Sequence, residues 1–380
     1  MSAKPLIYLD YAAATPLDAA VLAAMTPYFS QQFYNPSALY WPAHQVAKDI
    51  AAARAKVAGW LGSRPSEVVF TAGGTEANNL AIHGVMARFP AAEMLASSIE
   101  HDSVLEPARQ YNSREIPVTP EGLVDLPALT NLISDRTVLI SVMYANNEIG
   151  TIQPIREIAQ LVAAVRRQRQ AAGNHLPLYL HSDACQAANY LDLHVSRLGV
   201  DLMTLNGGKI YGPKQSGVLF VKAGVELEPL VYGGGQENNQ RSGTENVPAI
   251  IGFAAALDQA QHERQAEAAR LQALQKQFID GLTSRLPEAR INGSQKKRLP
   301  NNVHVTLPGK DNERLLVQLD EAGILAAAGS ACSASSDEPS HVLKAIGLSE
   351  VEAQASLRFT LGRSTDAAAI DFTLDTLTRL

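Results

Sequence analysis

Only two cysteines, Cys185 and Cys332, occur in the 380 residues, far apart and outside any Cys-x-x-Cys pair. That argues against a disulfide framework or a zinc site, so no metal is expected. A reducing, cytoplasmic setting fits such sparing use of thiols. Basic residues are not in excess either. The formal net charge is -6, and a nucleic-acid footprint would need a basic face. No stretch approaches the roughly 20 apolar residues of a membrane span. The start, MSAKPLIYLDYAAATP, is interrupted by Asp10 and lacks the apolar core of a signal peptide.

What is present is a chain that is 46% hydrophobic. It is long enough for a large core plus a smaller one, since cores tend to split beyond about 250–300 residues. Short apolar runs read as buried strands: EVVF (67–70), EMLASSI (93–99), TVLISVM (137–143), LPLYLHS (176–182), DLMTL (201–205) and SGVLFV (216–221). Segments 75–88, 102–111, 125–133 and 154–172 read as helices. This alternation predicts an α/β architecture with a largely parallel sheet. A long Ala/Gln/Glu-rich helix is expected over 247–286. After it, strands at 301–307 and 356–361 and helices near 311–321, 338–346 and 366–379 suggest a smaller α+β domain. The expected division is a large domain over 15–255 and a small one made of 1–14 plus 256–380.

Open parallel sheets bind ligands beyond the carboxyl ends of their strands, so those positions matter most. After EVVF, Gly73-Gly74 allows a tight turn and Thr75 opens a helix, a place where free backbone N–H groups attract anions. No Gly-Lys-Ser/Thr follows, so this is no nucleotide P-loop. After the next two strands stand Glu100-His101 and Asn146-Asn147. A histidine there can stack on a flat ring or move a proton, although each of these also reads as an ordinary cap or turn. Asp183 closes the fourth strand, where a carboxylate needs a partner. Lys209 follows the fifth, in Asn206-Gly207-Gly208-Lys209. Alone, Lys209 reads as a solvated lysine. Paired with Asp183 across one crossover of about the length a helix needs, it faces the same crevice. A Schiff-base lysine with an aspartate for a pyridinium nitrogen is the core of a pyridoxal 5'-phosphate (PLP) site.

At this point the chain resembles the class V aminotransferase fold group, and within it the cysteine desulfurases of the NifS/IscS kind. The matching segments run in order over nearly the whole chain: LDYAAATP (9–16), NPSALY (35–40), FTAGGTEANN (70–79), EH (100–101), NNEIG (146–150), HSDACQ (181–186), GGKIYGPK (207–214), RSGTENV (241–247), GSACSASSDEPS (329–340) and SLRFTLGR (356–363). The resemblance implies the PLP-dependent transferase fold of type I. It implies that L-cysteine is converted to L-alanine, with sulfur passing to Cys332 as a persulfide for an acceptor protein. It further implies that Lys209 carries PLP, that Asp183 pairs with the ring nitrogen and that Gln186 bonds the ring hydroxyl. His101 would stack on the ring and shuttle protons. Gly74, Thr75 and Asn206 would hold the phosphate, helped by Thr244 from the second subunit of a homodimer. Asn147 and Arg358 would bind the substrate carboxylate, with Asn35 near the same end; the arginine fork suits that task. The small residues around Cys332 suggest a segment able to move between pocket and acceptor. Cys185, in an apolar context, reads as structural.

The resemblance has one local gap. Family members usually read Ser-Gly-His-Lys before the apolar run, where this chain has Asn206-Gly207-Gly208-Lys209. Gly208 has no imidazole to offer the phosphate. Either PLP binds more weakly or other donors complete the grip. Two further readings are a selenocysteine lyase or other class V PLP enzyme, and a PLP-fold binding partner impaired in catalysis. The sulfur acceptor is open between iron–sulfur cluster assembly, tRNA thiolation and DNA phosphorothioation.

Overall fold

The computed structural model describes residues 6–329 and 339–380. The chain enters through β1 (Ile7–Tyr8), α1 (Ala19–Met25), α2 (Pro27–Ser30) and α3 (Trp41–Leu61). The stripe Val46, Ile50, Ala53, Val57 and Leu61 puts one face of α3 into the core. Gly62, at φ +62°, ends the helix in the left-handed conformation that glycine adopts without steric cost.

The alternating region follows as β2 (Val68–Thr71), α4 (Gly74–Arg88), β3 (Glu93–Ser97), α5 (Asp102–Ala108), β4 (Ser113–Ile116), α6 (Leu126–Leu132), β5 (Thr137–Ser141), α7 (Ile155–Ala171), β6 (Tyr179–Asp183), α8 (Val195–Leu198), β7 (Leu202–Asn206) and β8 (Gly217–Val221). These strands form one seven-stranded sheet in the order β2-β8-β7-β6-β5-β3-β4. All neighbours are parallel except β8, which runs antiparallel to both β2 and β7. Strands β2, β5 and β8 are buried at every residue. Cover on both faces explains why they read as continuous apolar runs rather than alternating ones.

Helix α9 (Val247–Arg285) is 39 residues long, or about 58 Å at 1.5 Å per residue. Its first half, including Phe253 and Leu257, packs in the core of the large sheet. Its second half, including Leu271, Phe278 and Leu282, packs in another core with Leu9, Val303 and Phe359. That second core is built from β9 (Arg290–Ile291), β10 (Asn302–Thr306), α10 (Asn312–Glu321), β11 (Ile324–Leu325), α11 (His341–Ala345), α12 (Glu350–Gln354), β12 (Ser356–Thr360) and α13 (Ala367–Arg379). Strands β12, β10 and β9 form an antiparallel sheet, and β1 pairs with β11.

Three local expectations change. The crossover from β6 to β7 carries only the four residues of α8 as helix; turns between Ala184 and Asp192 fill the rest. Strand β4 is an addition at the sheet edge. The helix expected at 338–346 is confined, among described residues, to His341–Ala345.

Candidate active site

The carboxyl ends of β3, β5, β6 and β7 lie side by side, and the residues that follow them share one crevice. Gly74, Thr75, Asn78, His101, Asn147, Asp183, Cys185, Gln186, Asn206 and Lys209 line it, together with Arg358 from β12 and Ala12–Ala13 from the N-terminal segment. Strands β6 and β7 are adjacent and parallel, with Asp183 opposite Thr204. The register thus places Asp183 and the turn bearing Lys209 at the same edge.

Lys209 ends a 3-10 turn over Gly207–Lys209, whose first free N–H, that of Gly208, is capped by Asn206 Oδ1 at 3.0 Å. Gly207 allows the turn to pack tightly, because a Cβ there would lie 2.1 Å from Ser216 Oγ. The Lys209 ammonium donates to the carbonyl oxygens of Ala12 at 2.7 Å and Ala13 at 2.6 Å. These two carbonyls hold it against the wall of the crevice.

Asp183 is buried. Its Oδ1 accepts from the Cys185 N–H at 2.9 Å and its Oδ2 from Asn78 Nδ2 at 2.7 Å. A buried carboxylate held by neutral donors is suited to a cationic ligand atom. The same Asn78 nitrogen contacts Ser103 Oγ at 2.8 Å, and Ser103 Oγ lies 2.9 Å from His101 Nδ1. The Ser103 backbone N–H also donates to His101 Nδ1 at 3.0 Å. A main-chain N–H can only donate, so Nδ1 is unprotonated and the ring proton sits on Nε2. Behind Asp183, His181 lies between Ser141 Oγ and Thr204 Oγ1. Burial holds it neutral, with its pKa lowered to about 4 against the opposing pull of Asp183.

Glu100 is fully buried beside this chain. Its Oε1 accepts from the Met143 N–H at 2.5 Å, while Oε2 has no partner among the described residues. Burial, opposed by the Met143 bond and reinforced by Asp183, pushes its carboxyl well above the usual range. The Cys185 thiol is likewise pushed up by burial and then by Asp183, so it stands as a protonated packing group, as its context suggests.

At the β2–α4 turn, Gly73 adopts φ +125° and no side chain caps α4. The first-turn N–H groups therefore face the crevice mouth. A Cβ on Gly217 would come within 2.6–2.8 Å of the Gly73 backbone, so β8 packs directly under the turn. Asn206 Nδ2 lies near Gly74, 3.3 Å from where a Cβ would stand. At the opposite end, Arg358 donates from Nη2 to Asp10 Oδ1 at 2.7 Å and from Nη1 to the Asn147 carbonyl at 3.1 Å.

The side chains present fit PLP: a lysine for its aldehyde, a buried carboxylate on neutral donors for its pyridine nitrogen, and an uncapped helix start for its phosphate. Gln186, whose Nε2 bonds the Ala12 carbonyl at 3.0 Å, borders the same space. Two expected residues stand elsewhere in this protomer. Asn35 is exposed and spends its Oδ1 on the Ser37 N–H at 3.0 Å. Thr244 is exposed and lines a separate cleft with Phe70, Gln215 and Glu237. Cys332 lies outside the described residues. Sequence reasoning gave no role to Asp10, Asn78, Glu100 or Ser103. Asn78 was within reach, since it sits one helical turn after Thr75 on the same face.

The class-V aminotransferase family model matches residues 7–372. The cysteine desulfurase IscS of Dictyoglomus turgidum is 40% identical over 381 residues, covering 98% of this chain and 94% of that protein. The solved structure of a NifS-like protein superposes with a TM-score of 0.90 at 30% identity, covering 99% of both chains. A second, of SspA in complex with cysteine, gives a TM-score of 0.80 at 34% identity, covering 93% of this chain and 98% of that one. With the fold, the crevice and these likenesses in agreement over almost its full length, the chain belongs to the class-V aminotransferase family.

Proposed function

We propose that the protein is a PLP-dependent cysteine desulfurase that converts L-cysteine to L-alanine and takes the sulfur onto Cys332 as a persulfide. The observation that carries this is the placement of Lys209 and Asp183 on adjacent parallel strand ends, in a crevice closed at its far end by Arg358. The names borne by its relatives, and the complex of the similar SspA with cysteine, support the substrate.

Bound PLP supplies an electron sink that lets bonds at the substrate's α-carbon break. The chain's own groups do the rest. Arg358 and Asn147 receive the substrate carboxylate and set its orientation. Lys209 Nζ removes and returns the proton at the α-carbon. Asp183, steadied by Asn78 and the Cys185 N–H, keeps the pyridine nitrogen protonated. His101 offers its Nε2 proton toward the reacting face. Gln186 meets the ring hydroxyl, and Gly74, Thr75 and Asn206 receive the phosphate. The Cys332 thiolate attacks the substrate sulfur, so an S–S bond forms as the carbon–sulfur bond breaks, and the β-carbon takes up a proton equivalent to the one the Cys332 thiol gave up, becoming the methyl of alanine. The balance is L-cysteine plus a Cys332 thiol giving L-alanine plus a Cys332 persulfide, with no outside oxidant.

A homodimer belongs to this reading. Thr244 is exposed and turned away from its own crevice, which suits a role in the site of a second copy. Phe29, Phe33, Leu39, Trp41 and Tyr232 expose large apolar area, which suits burial against that copy. The reading also divides the chain into 15–255 and 1–14 plus 256–380, a boundary that falls within the first third of α9. It places the protein in the cytoplasm, where a reduced Cys332 persists; no described helix is long and apolar enough to cross a membrane. The sulfur leaves for an acceptor in iron–sulfur assembly, tRNA thiolation or DNA phosphorothioation.

The test is direct. The purified protein should be yellow and release alanine from L-cysteine under reducing conditions, and mass spectrometry should find one added sulfur on Cys332. A Cys332→Ala variant should keep the colour and lose the persulfide. Full desulfuration by that variant would overturn the role of Cys332, and a wild type that stays colourless with added PLP would overturn the enzyme reading.

A further inference from the structure

Beyond Gly74 and Thr75 the crevice opens into a groove that continues to Asn206, Gly208, Lys214 and Gln215. A PLP phosphate would lie on this side, because the uncapped start of α4 is here. A phosphate monoester carries about 1.5–2 negative charges near neutral pH, and backbone N–H groups alone supply only partial charge against them.

The basic side chains around the crevice can be taken in turn. Arg358 stands at the far end, engaged with Asp10. His101 is held at the end of β3 by Ser103. Lys209 is assigned to the cofactor aldehyde. Lys214 remains. Its Nζ donates to the Thr15 carbonyl at 3.2 Å, long for a charged donor. It pairs with no described carboxylate. The acid lining the groove, Glu76, is already taken by Arg241 at 2.9 Å.

The backbone fixes where Lys214 stands. The turn that carries it is flanked by two residues other than glycine in the left-handed region, Tyr211 at φ +60° and Gln215 at φ +58°. Such residues are strained, and they persist only where the surroundings enforce them. Here the Tyr211 N–H is held by Thr15 Oγ1 at 2.8 Å and the Gly212 N–H by the Gly207 carbonyl at 2.9 Å. Gly208 adds no side chain of its own beside Lys214: a Cβ there would sit 3.5 Å from Lys214 Cγ and 3.4 Å from Asn206 Oδ1.

We infer that Lys214 is a further cofactor-binding residue, the full positive charge that completes the phosphate grip where Gly208 offers nothing. This rests on the reading that the crevice holds PLP, and the test separates the two. Purified full-length protein is dialysed to equilibrium against graded PLP, and visible absorbance gives the dissociation constant. The series is repeated with pyridoxal, which has the ring and aldehyde without the phosphate. Lys214→Met should bind PLP about ten- to a hundredfold more weakly, the range for a lost charge-assisted bond. Lys214→Arg should stay near wild type, and pyridoxal should bind all three alike. If Lys214→Met does not fold, Lys214→Gln is read in the same way. Unchanged PLP affinity in the neutral variant would overturn the inference, as would equal losses for PLP and pyridoxal, which would make Lys214 a support for Thr15. A wild type that binds neither compound would overturn the cofactor reading itself.

Discussion

Arg358 and Asp10 form a part-buried ion pair across the seam between β12 and the N-terminal segment, at 2.7 Å, with the arginine side chain only 2% exposed and that of Asp10 18%. The guanidinium is thus oriented before any substrate arrives. Its Nε remains without a partner among the described residues. A lysine has no planar fork with which to hold Asp10, the Asn147 carbonyl and a substrate carboxylate together. Arg358→Lys should therefore raise the KM for L-cysteine about tenfold or more while the visible absorbance of bound PLP is kept. Steady-state alanine release and the absorption spectrum check both halves.

The glycines at the crevice are not equivalent. A Cβ on Gly217 would lie 2.6–2.8 Å from backbone atoms of Gly73, which cannot rotate away. A Cβ on Gly208 would meet Asn206 Oδ1 at 3.4 Å and Lys214 Cγ at 3.5 Å, ordinary contacts at a backbone angle open to alanine. Gly217→Ala should cost about 1–3 kcal/mol through overpacking and loosen the phosphate turn. Gly208→Ala should change stability by under about 1 kcal/mol. Urea unfolding of the two variants measures the contrast.

Much of this site was legible because parallel strands buried on both faces read as unbroken apolar runs, and the polar residue ending each run marks a carboxyl end. His101, Asn147, Asp183 and Lys209 were found in that way. The alanine-rich patch at 51–55 reads as a helix former and lies within α3. Strand β4 hid because Arg114 and Glu115, its middle residues, are exposed at the sheet edge. The contacts of Asp10 with Arg358 and of Asn78 with Asp183 join positions 348 and 105 residues apart. No local pattern encodes such pairings. Asn35 and Thr244 were named from likeness alone, and neither lines its own crevice.

Two buried histidines should make the protein acid-labile. His304 is pushed down to about 3 by burial, then by Arg298 and Arg358, and His181 to about 4 by burial. Both are neutral in the folded and unfolded chain at pH 7.5. As pH falls below about 6.5 the unfolded chain takes up protons that the folded one refuses. Each histidine then removes up to about 1.4 kcal/mol of stability per pH unit, until its own folded pKa is reached. In His304→Gln one of the two contributions disappears. Denaturant unfolding between pH 6 and pH 4 should show a shallower loss in that variant than in the wild type.

Glu100 works in the opposite direction. Its folded pKa lies well above the ordinary value because burial and Asp183 disfavour the charge. Between the ordinary glutamate pKa and that raised value, the folded protein keeps a proton that the unfolded chain has released. Stability contributed by this group is thus complete in acid and falls as pH rises, by at most about 1.4 kcal/mol per unit. Glutamine has the same shape, its carbonyl oxygen can accept the Met143 N–H, and it carries no titrating proton. Glu100→Gln should therefore gain stability over the wild type as pH increases from 5 to 8. Glu100→Ala should be less stable than Glu100→Gln throughout, because the buried Met143 N–H loses its acceptor, a cost of about 1–3 kcal/mol. Thermal unfolding of the three proteins across that pH range decides the matter. A constant difference between wild type and Glu100→Gln would mean that Glu100 is ionised in the fold.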